Sequence, residues 1–372
     1  MKFKVSTSAL QKELQILSGA ISSNTVLPIL EDFLFEVKGE NLTIYASDLE
    51  TSMSSNLSVE ADESLTMAIP AKLLLDTLKA LPDQPLDFVV DKDNYLIEIQ
   101  AQNGNYKLAG ESGADFPNIP EAENTSETSI PSTVLSEAIQ KTIFAVSNDE
   151  LRPAMTGIYM ELDTSGTTFV STDAHKLVKF KNKNYKSDKR SSFIIPKKAM
   201  NLIKTALGSE DTDVSVSFNP SNAFFSFNNV NLICRLIDSK FPDYNAVIPK
   251  DNKSKLTVNR LDFLNSIKRV SLFASKTTNQ VILGLTNNKM SISAKDMDYS
   301  NEAKEEIACV YNGEKMDIAF NAKFLSEILT VMETDEVCLN LSTPSKAGLI
   351  VPPEDSNQEE LVMLVMPIMI NN

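Results

Sequence analysis

A sequence can do chemistry only through its nucleophiles, acids, bases and metal ligands, and this chain of 372 residues holds few of them in usable arrangements. Its one histidine, His175, stands two residues after Asp173, a pairing suited to acid–base catalysis. No serine or cysteine in a nucleophile-elbow context lies near it in sequence, no glycine-rich phosphate loop occurs, and no spacing of ligands matches a metal site. The three cysteines, Cys234, Cys309 and Cys338, are odd in number, far apart and set in apolar runs, the pattern of buried thiols. No catalytic residue, cofactor or metal is therefore expected, and the function is sought in binding.

The overall charge of −15 opposes a simple basic-patch DNA binder, because affinity for DNA comes largely from cations that displace condensed counterions. How charge is distributed matters more than its sum. The start of the chain, Met1-Lys2-Phe3-Lys4-Val5-Ser6, lacks the apolar core of a signal peptide, and no run of about 18 apolar residues offers a membrane span. A cytoplasmic protein without membrane contact is expected.

Three sets of markers recur in one register. Ile69-Pro70-Ala71-Lys72, Ile195-Pro196-Lys197-Lys198 and Phe320-Asn321-Ala322-Lys323 place their lysines 126 and 125 residues apart. Asp48, Asp173 and Asp296 end strand-like runs at intervals of 125 and 123, and Phe116-Pro117, Phe241-Pro242 and Met366-Pro367 follow at steps of 125. Such a period signals a repeat architecture. Helical spacing of apolar residues predicts helices over about 8–19, 71–81, 133–146, 197–207, 259–273 and 322–332, two per repeat, with strands of period two between them. The expected fold is α+β: three tandem units of two helices packed on antiparallel sheets, spanning 1–120, 129–248 and 254–372.

The six helices carry eleven basic residues, Lys12, Lys72, Lys79, Lys141, Lys197, Lys198, Lys204, Arg260, Lys268, Arg269 and Lys323, against five acids. They therefore net +6 while the rest of the chain nets −21. Cationic helices in a threefold repeat suit phosphates around one shared axis, with the acidic remainder repelling DNA from outside. Helices packed about 10 Å apart leave a hole of only about 9 Å when six form a circle, and about 28 Å when twelve do. A duplex about 20 Å wide thus requires two copies of the chain, closed symmetrically. A repeat scaffold binding only proteins would need neither the cationic helices nor closure.

Several runs then carry a resemblance: Leu27-Pro28-Ile29-Leu30, Ala46-Ser47-Asp48-Leu49-Glu50, Ala114-Asp115-Phe116-Pro117-Asn118, Thr172-Asp173-Ala174-His175-Lys176-Leu177, Lys240-Phe241-Pro242-Asp243-Tyr244 and Val365-Met366-Pro367-Ile368-Met369-Ile370. Over its whole length the chain resembles the bacterial DNA polymerase III beta subunits, the beta sliding clamps. The resemblance implies the DNA-clamp fold, a head-to-tail dimer closing as a six-domain ring on duplex DNA without sequence preference, and a processivity role without catalysis. The implied partners are the replicative polymerase alpha subunit, an ATP-driven clamp loader and other proteins bearing a clamp-binding peptide.

That peptide's pocket maps to Met155, Thr172, His175, Lys176, Leu177, Pro242, Val247, Leu364, Val365, Met366, Pro367 and Ile368. The subunit seam maps to Tyr106 and Leu108 facing Leu272 and Phe273, with Glu302, Glu305 and Glu306 set to pair with Lys72 or Lys107. The chain departs from the family pattern with Ala174 where Gly is usual, Lys176 where Arg is frequent, Ala246 where some members carry Arg, Met369 where Arg is common, and a tail prolonged by Asn371 and Asn372.

Overall fold

The computed structural model describes residues 1–21, 27–208, 211–354 and 356–370, so Asn371 and Asn372 lie outside the described residues. Six helices of ten or eleven residues form where the apolar spacing places them: α1 (Thr7–Leu17), α2 (Ala71–Ala80), α3 (Ser132–Thr142), α4 (Lys197–Leu207), α6 (Arg260–Val270) and α7 (Ala322–Val331). A further single turn, α5 (Tyr244–Val247), starts where the Asp243 carboxylate accepts the Asn245 amide. The stretches after α3 and α6 tighten into 3-10 turns, Ile143–Ala145 and Ser271–Phe273. Asn259 and Asn321 cap α6 and α7 by accepting backbone amides, the usual work of asparagine at a helix start. Among the described residues, no helix is long and apolar enough to cross a membrane.

The apolar stripes do what their period dictates. Leu10, Leu14 and Leu17 of α1, Leu74 and Leu78 of α2, and Met200 and Ile203 of α4 are fully buried. Phe263, Ile267, Leu325 and Ile328 bring α6 and α7 into one cluster that also takes in Val178 and Met363. Each such side chain contributes about 1.5–3 kcal/mol of burial. Cys234 and Cys338 are wholly buried, and burial pushes the Cys234 thiol up to about 12. Glu13, one of the helical acids, is also interior, where Ser55 Oγ donates to it at 2.6 Å.

Among the described residues the strand pairs are antiparallel and assemble four sheets, two of which combine strands from neighbouring repeats. One nine-stranded sheet joins the first repeat to the second where Thr51–Ser58 pairs with Val230–Arg235, Met53 opposite Leu232. The other joins the second to the third where Lys176–Asn182 pairs with Glu359–Val365, Val178 opposite Met363. These seams explain why contacts divide the chain into two units, Met1–Ser136 with Lys198–Leu236 and Glu137–Lys197 with Ile237–Asn372: each seam knits half of the central repeat to a neighbour. The strands holding the corresponding places elsewhere are sheet edges. Gly104–Ala109 ends a five-stranded sheet and Asn301–Ala308 ends a four-stranded one.

One glycine of the central repeat, set against one of the first, shows how tightly the central hairpin is built. Gly166 adopts φ +137, and a Cβ there would meet the Asn182 carbonyl at 2.3 Å; Gly39, at φ +58, has open space around it. Gly166→Ala should therefore cost about 3 kcal/mol and Gly39→Ala only about 1 kcal/mol in urea unfolding, since the second change adds backbone strain alone. Equal losses for the two variants would contradict the close approach.

Candidate binding site

The loop carrying His175 is built by its own aspartate. Asp173 Oδ1 accepts the amides of His175 and Lys176, each at 2.9 Å, and Thr172 Oγ1 donates to the Lys176 carbonyl at 2.8 Å. This Asx turn holds Ala174 at φ +74, the left-handed region that favours glycine. The same device recurs in the first repeat, where Asp48 Oδ1 accepts the Glu50 and Thr51 amides and Leu49 takes φ +78. The recurring aspartate is thus a turn former. Asp173 has no free carboxylate edge for an acid–base pair with His175, because its second oxygen lies 3.1 Å from the Lys176 ammonium. The imidazole stacks at 6.2 Å on Phe324 of α7.

Lys176 is only 5% exposed. Its ammonium sits between Asp173 and Glu327, 2.9 Å from the latter, and 4.3 Å over the Phe324 ring. Beside it, the shared sheet fixes the tail: Leu177 lies opposite Leu364, the Met366 amide donates to the His175 carbonyl at 2.8 Å, and the Ile368 amide to the Ala319 carbonyl at 2.8 Å.

Alternation along these strands sorts the residues mapped to the pocket. Leu177 and Leu364 enter an apolar cluster with Val170, Ile194, Phe241 and Tyr244. Their chain neighbours Lys176 and Val365, a cross-strand pair in turn, point to the opposite face, Val365 into the core around α6 and α7. Placing both consecutive pairs on one pocket wall is therefore corrected: Lys176 and Val365 belong to the helical layer. Thr172 is buried by its own loop bonds, Met155, Pro367 and Ile368 are half-buried, and His175, Pro242, Val247 and Met366 are exposed.

Three aromatic rings of this cluster, none among the residues mapped to the pocket from sequence, form a floor. Tyr159 stacks on Phe241 at 4.7 Å, with Tyr244 6.1 Å away. The Tyr244 hydroxyl donates to Glu161 at 3.0 Å, and Arg190 donates to the other Glu161 oxygen at 2.6 Å. Burial, then the Glu161 carboxylate, pushes the Tyr244 hydroxyl above its ordinary pKa. Phe241 and Tyr244 stood within the Lys-Phe-Pro-Asp-Tyr run and were findable; Tyr159, one residue of an ordinary strand, carried no local signal.

The helix cations divide similarly. Lys12, Lys72, Lys79, Lys268 and Lys323 are exposed, and Lys197 and Lys204 half-exposed. Lys141 is corrected out of the phosphate-facing set, since its ammonium is buried over the Phe180 ring and paired with Glu137 and Glu359. Arg260 is likewise committed, donating to the Thr334 and Leu329 carbonyls. Lys198 pairs with Asp48 at 2.6 Å, and Arg269 forms a two-point pair with Glu305. Glu305 therefore has an intrachain partner, as do Glu306 with Lys289 and Lys107 with Glu98. Of the seam residues, Leu272 is 74% exposed, Tyr106, Phe273 and Glu302 are exposed, and Leu108 is corrected to a core side chain whose contribution at an edge is its backbone.

Three tandem units of helices on antiparallel sheets, joined through common sheets, define a clamp-type protein. The DNA polymerase III beta subunit family matches in three consecutive pieces: its N-terminal domain over residues 1–120, its central domain over 129–243 and its C-terminal domain over 245–367. The chain belongs to this family. It is 26% identical to the beta sliding clamp of Vibrio cholerae, over 99% of this chain and 100% of that one. The crystal structure of the Bacillus subtilis DNA polymerase sliding clamp superposes with a TM-score of 0.94 at 26% identity, and that of the Thermotoga maritima DNA polymerase III beta subunit with 0.91 at 29%, each covering 100% of both chains.

Because the buried Lys176 ammonium is held by the largely buried Asp173 and the partly exposed Glu327, Lys176→Met should cost about 1–2 kcal/mol, and adding Glu327→Leu should recover only a small part of that loss. Urea unfolding of the single and double variants checks this, and a neutral Lys176→Met would refute the role.

Proposed function

We propose that the chain is a DNA sliding clamp, a processivity factor without catalysis or cofactor that works in the cytoplasm as a head-to-tail homodimeric ring. The units 1–120, 129–248 and 254–372 would each be one clamp domain of this ring. The observation that carries the reading is the pair of leftover strand edges. Two of three equivalent seams are closed within the chain, while Gly104–Ala109 and Asn301–Ala308 stand at sheet edges. An edge with unpaired N–H and C=O groups is a template for another strand.

The register of that third seam follows from the first two. With Met53 opposite Leu232 and Val178 opposite Met363, the equivalent pair across two copies is Ala303 opposite Tyr106. Glu302 then faces Lys107, and Asn301 faces Leu108. Exposed Leu272 and Phe273 supply apolar surface beside the strands. Ion pairs on such a rim contribute only about 0–1 kcal/mol each, so the apolar residues and backbone pairing carry the seam.

Closure brings twelve helices around the duplex, with Lys12, Lys72, Lys79, Lys268 and Lys323 meeting phosphates, which carry no sequence information. The cluster around Leu177 and Leu364, rimmed by Pro242, Val247, Met366 and His175, would take a short apolar peptide from the polymerase alpha subunit, the clamp loader and other clamp-motif proteins. Methionine and proline rims over a rigid aromatic floor suit such an anchor.

Loading onto nicked circular plasmid with clamp loader and ATP should give a protein–DNA complex that survives gel filtration and is lost on linearising the plasmid. Leu272→Ala with Phe273→Ala should shorten that retention, whereas deleting residues 366–372 should lower affinity for a partner peptide about tenfold or more and leave an already loaded ring in place. Equal retention on linear and circular DNA would refute the clamp reading, and undiminished peptide affinity would refute the pocket.

A further inference from the structure

The turn after the second strand of each hairpin recurs three times, and twice it rests on the leading turn of a helix from the following repeat. In the first case the Asp48 carboxylate lies 2.6 Å from the Lys198 ammonium at the start of α4. In the second, His175 stacks on Phe324 and Lys176 reaches Glu327, both on α7. The third turn has no following repeat within the chain.

That third turn is also the longest. Six residues separate the paired positions Ala46 and Met53, and six separate Ser171 and Val178, but eight separate Ala294 and Ala303. The extra length projects Met297, 76% exposed, and Tyr299, 74% exposed, with Asp298 exposed between them. The helix in the corresponding place is α2, which shows the complementary gap. By the repeat register Lys72 stands where Lys198 and Lys323 stand, and Leu73 stands where Phe324 stands. Lys72 is exposed, and Leu73 is 52% exposed although it lies on a helix otherwise anchored by buried leucines.

We propose that Met297 and Tyr299 of one subunit cover Leu73 of a second copy, with Asp298 facing Lys72. The contact rests on the dimer proposed above and extends its seam beyond the paired strands. Three observations select a second copy as the occupant: the turn is continuous with the edge strand Asn301–Ala308, its acid complements the Lys72 charge, and the two intrachain turns make the same approach. A projecting aromatic against an isolated leucine is the kind of contact that concentrates interface energy.

The test is a double-mutant cycle on the full chain, reading the dimer dissociation constant by subunit exchange between fluorescently labelled rings. Leu73→Ala and Tyr299→Ala should each weaken the dimer about tenfold per seam, hence on the order of a hundredfold for two seams. The double variant should be no weaker than the weaker single, and Tyr299→Phe should stay near wild type. Single variants within about twofold of wild type, while Leu272→Ala with Phe273→Ala dissociates the ring, would overturn this contact and leave the dimer standing. Strictly additive losses would likewise overturn it, and a wild-type chain that never dimerises would sink both.

Discussion

Backbone groups along a strand must find partners, and this requirement organises the whole chain. At Met53 opposite Leu232 and Val178 opposite Met363 the requirement is met by strands from adjacent repeats, which makes neighbouring repeats share sheets rather than touch through side chains alone. The same rule applied to Gly104–Ala109 and Asn301–Ala308 leaves two edges, which in the proposed dimer complement each other across separate copies. In the proposed ring, function would follow from closure: a ring holds DNA by topology, so its affinity for phosphate can stay low and its overall charge strongly negative.

The charges fit that division of labour more selectively than their number implies. Lys12, Lys72, Lys79, Lys268 and Lys323 remain exposed, whereas Lys141 and Lys176 are drawn into the interior by carboxylates and aromatic rings. A long aliphatic stem lets a lysine cover apolar surface while its ammonium finds a partner, and both residues use it in that way. These pairs, with buried ammonium groups and partly exposed carboxylates, tie Lys141 to Glu359, and Lys176 to Glu327, across strands and helices beside the candidate pocket.

Much of this was legible in sequence because the fold repeats its physics three times. Helix positions follow from leucine and isoleucine spacing, and the three markers set the register that the seams share. What stayed hidden depends on direction rather than position. Consecutive residues such as Leu364 and Val365 fall on opposite faces of one strand, so a pocket written as a run of neighbours included side chains that face another core. Leu108 illustrates the same point at the sheet edge. The aromatic floor escaped because Tyr159 meets Phe241 only once distant strands are paired. The Asp173–His175 pairing that hinted at catalysis proved to be a turn whose oxygens hold backbone amides and an ammonium.

The claim that two leftover edges pair between copies is most directly met by the mass of the protein in solution. Sedimentation equilibrium across the micromolar range should return about 82 kDa, two chains of 41.0 kDa. A single 41.0 kDa species at every concentration would contradict it.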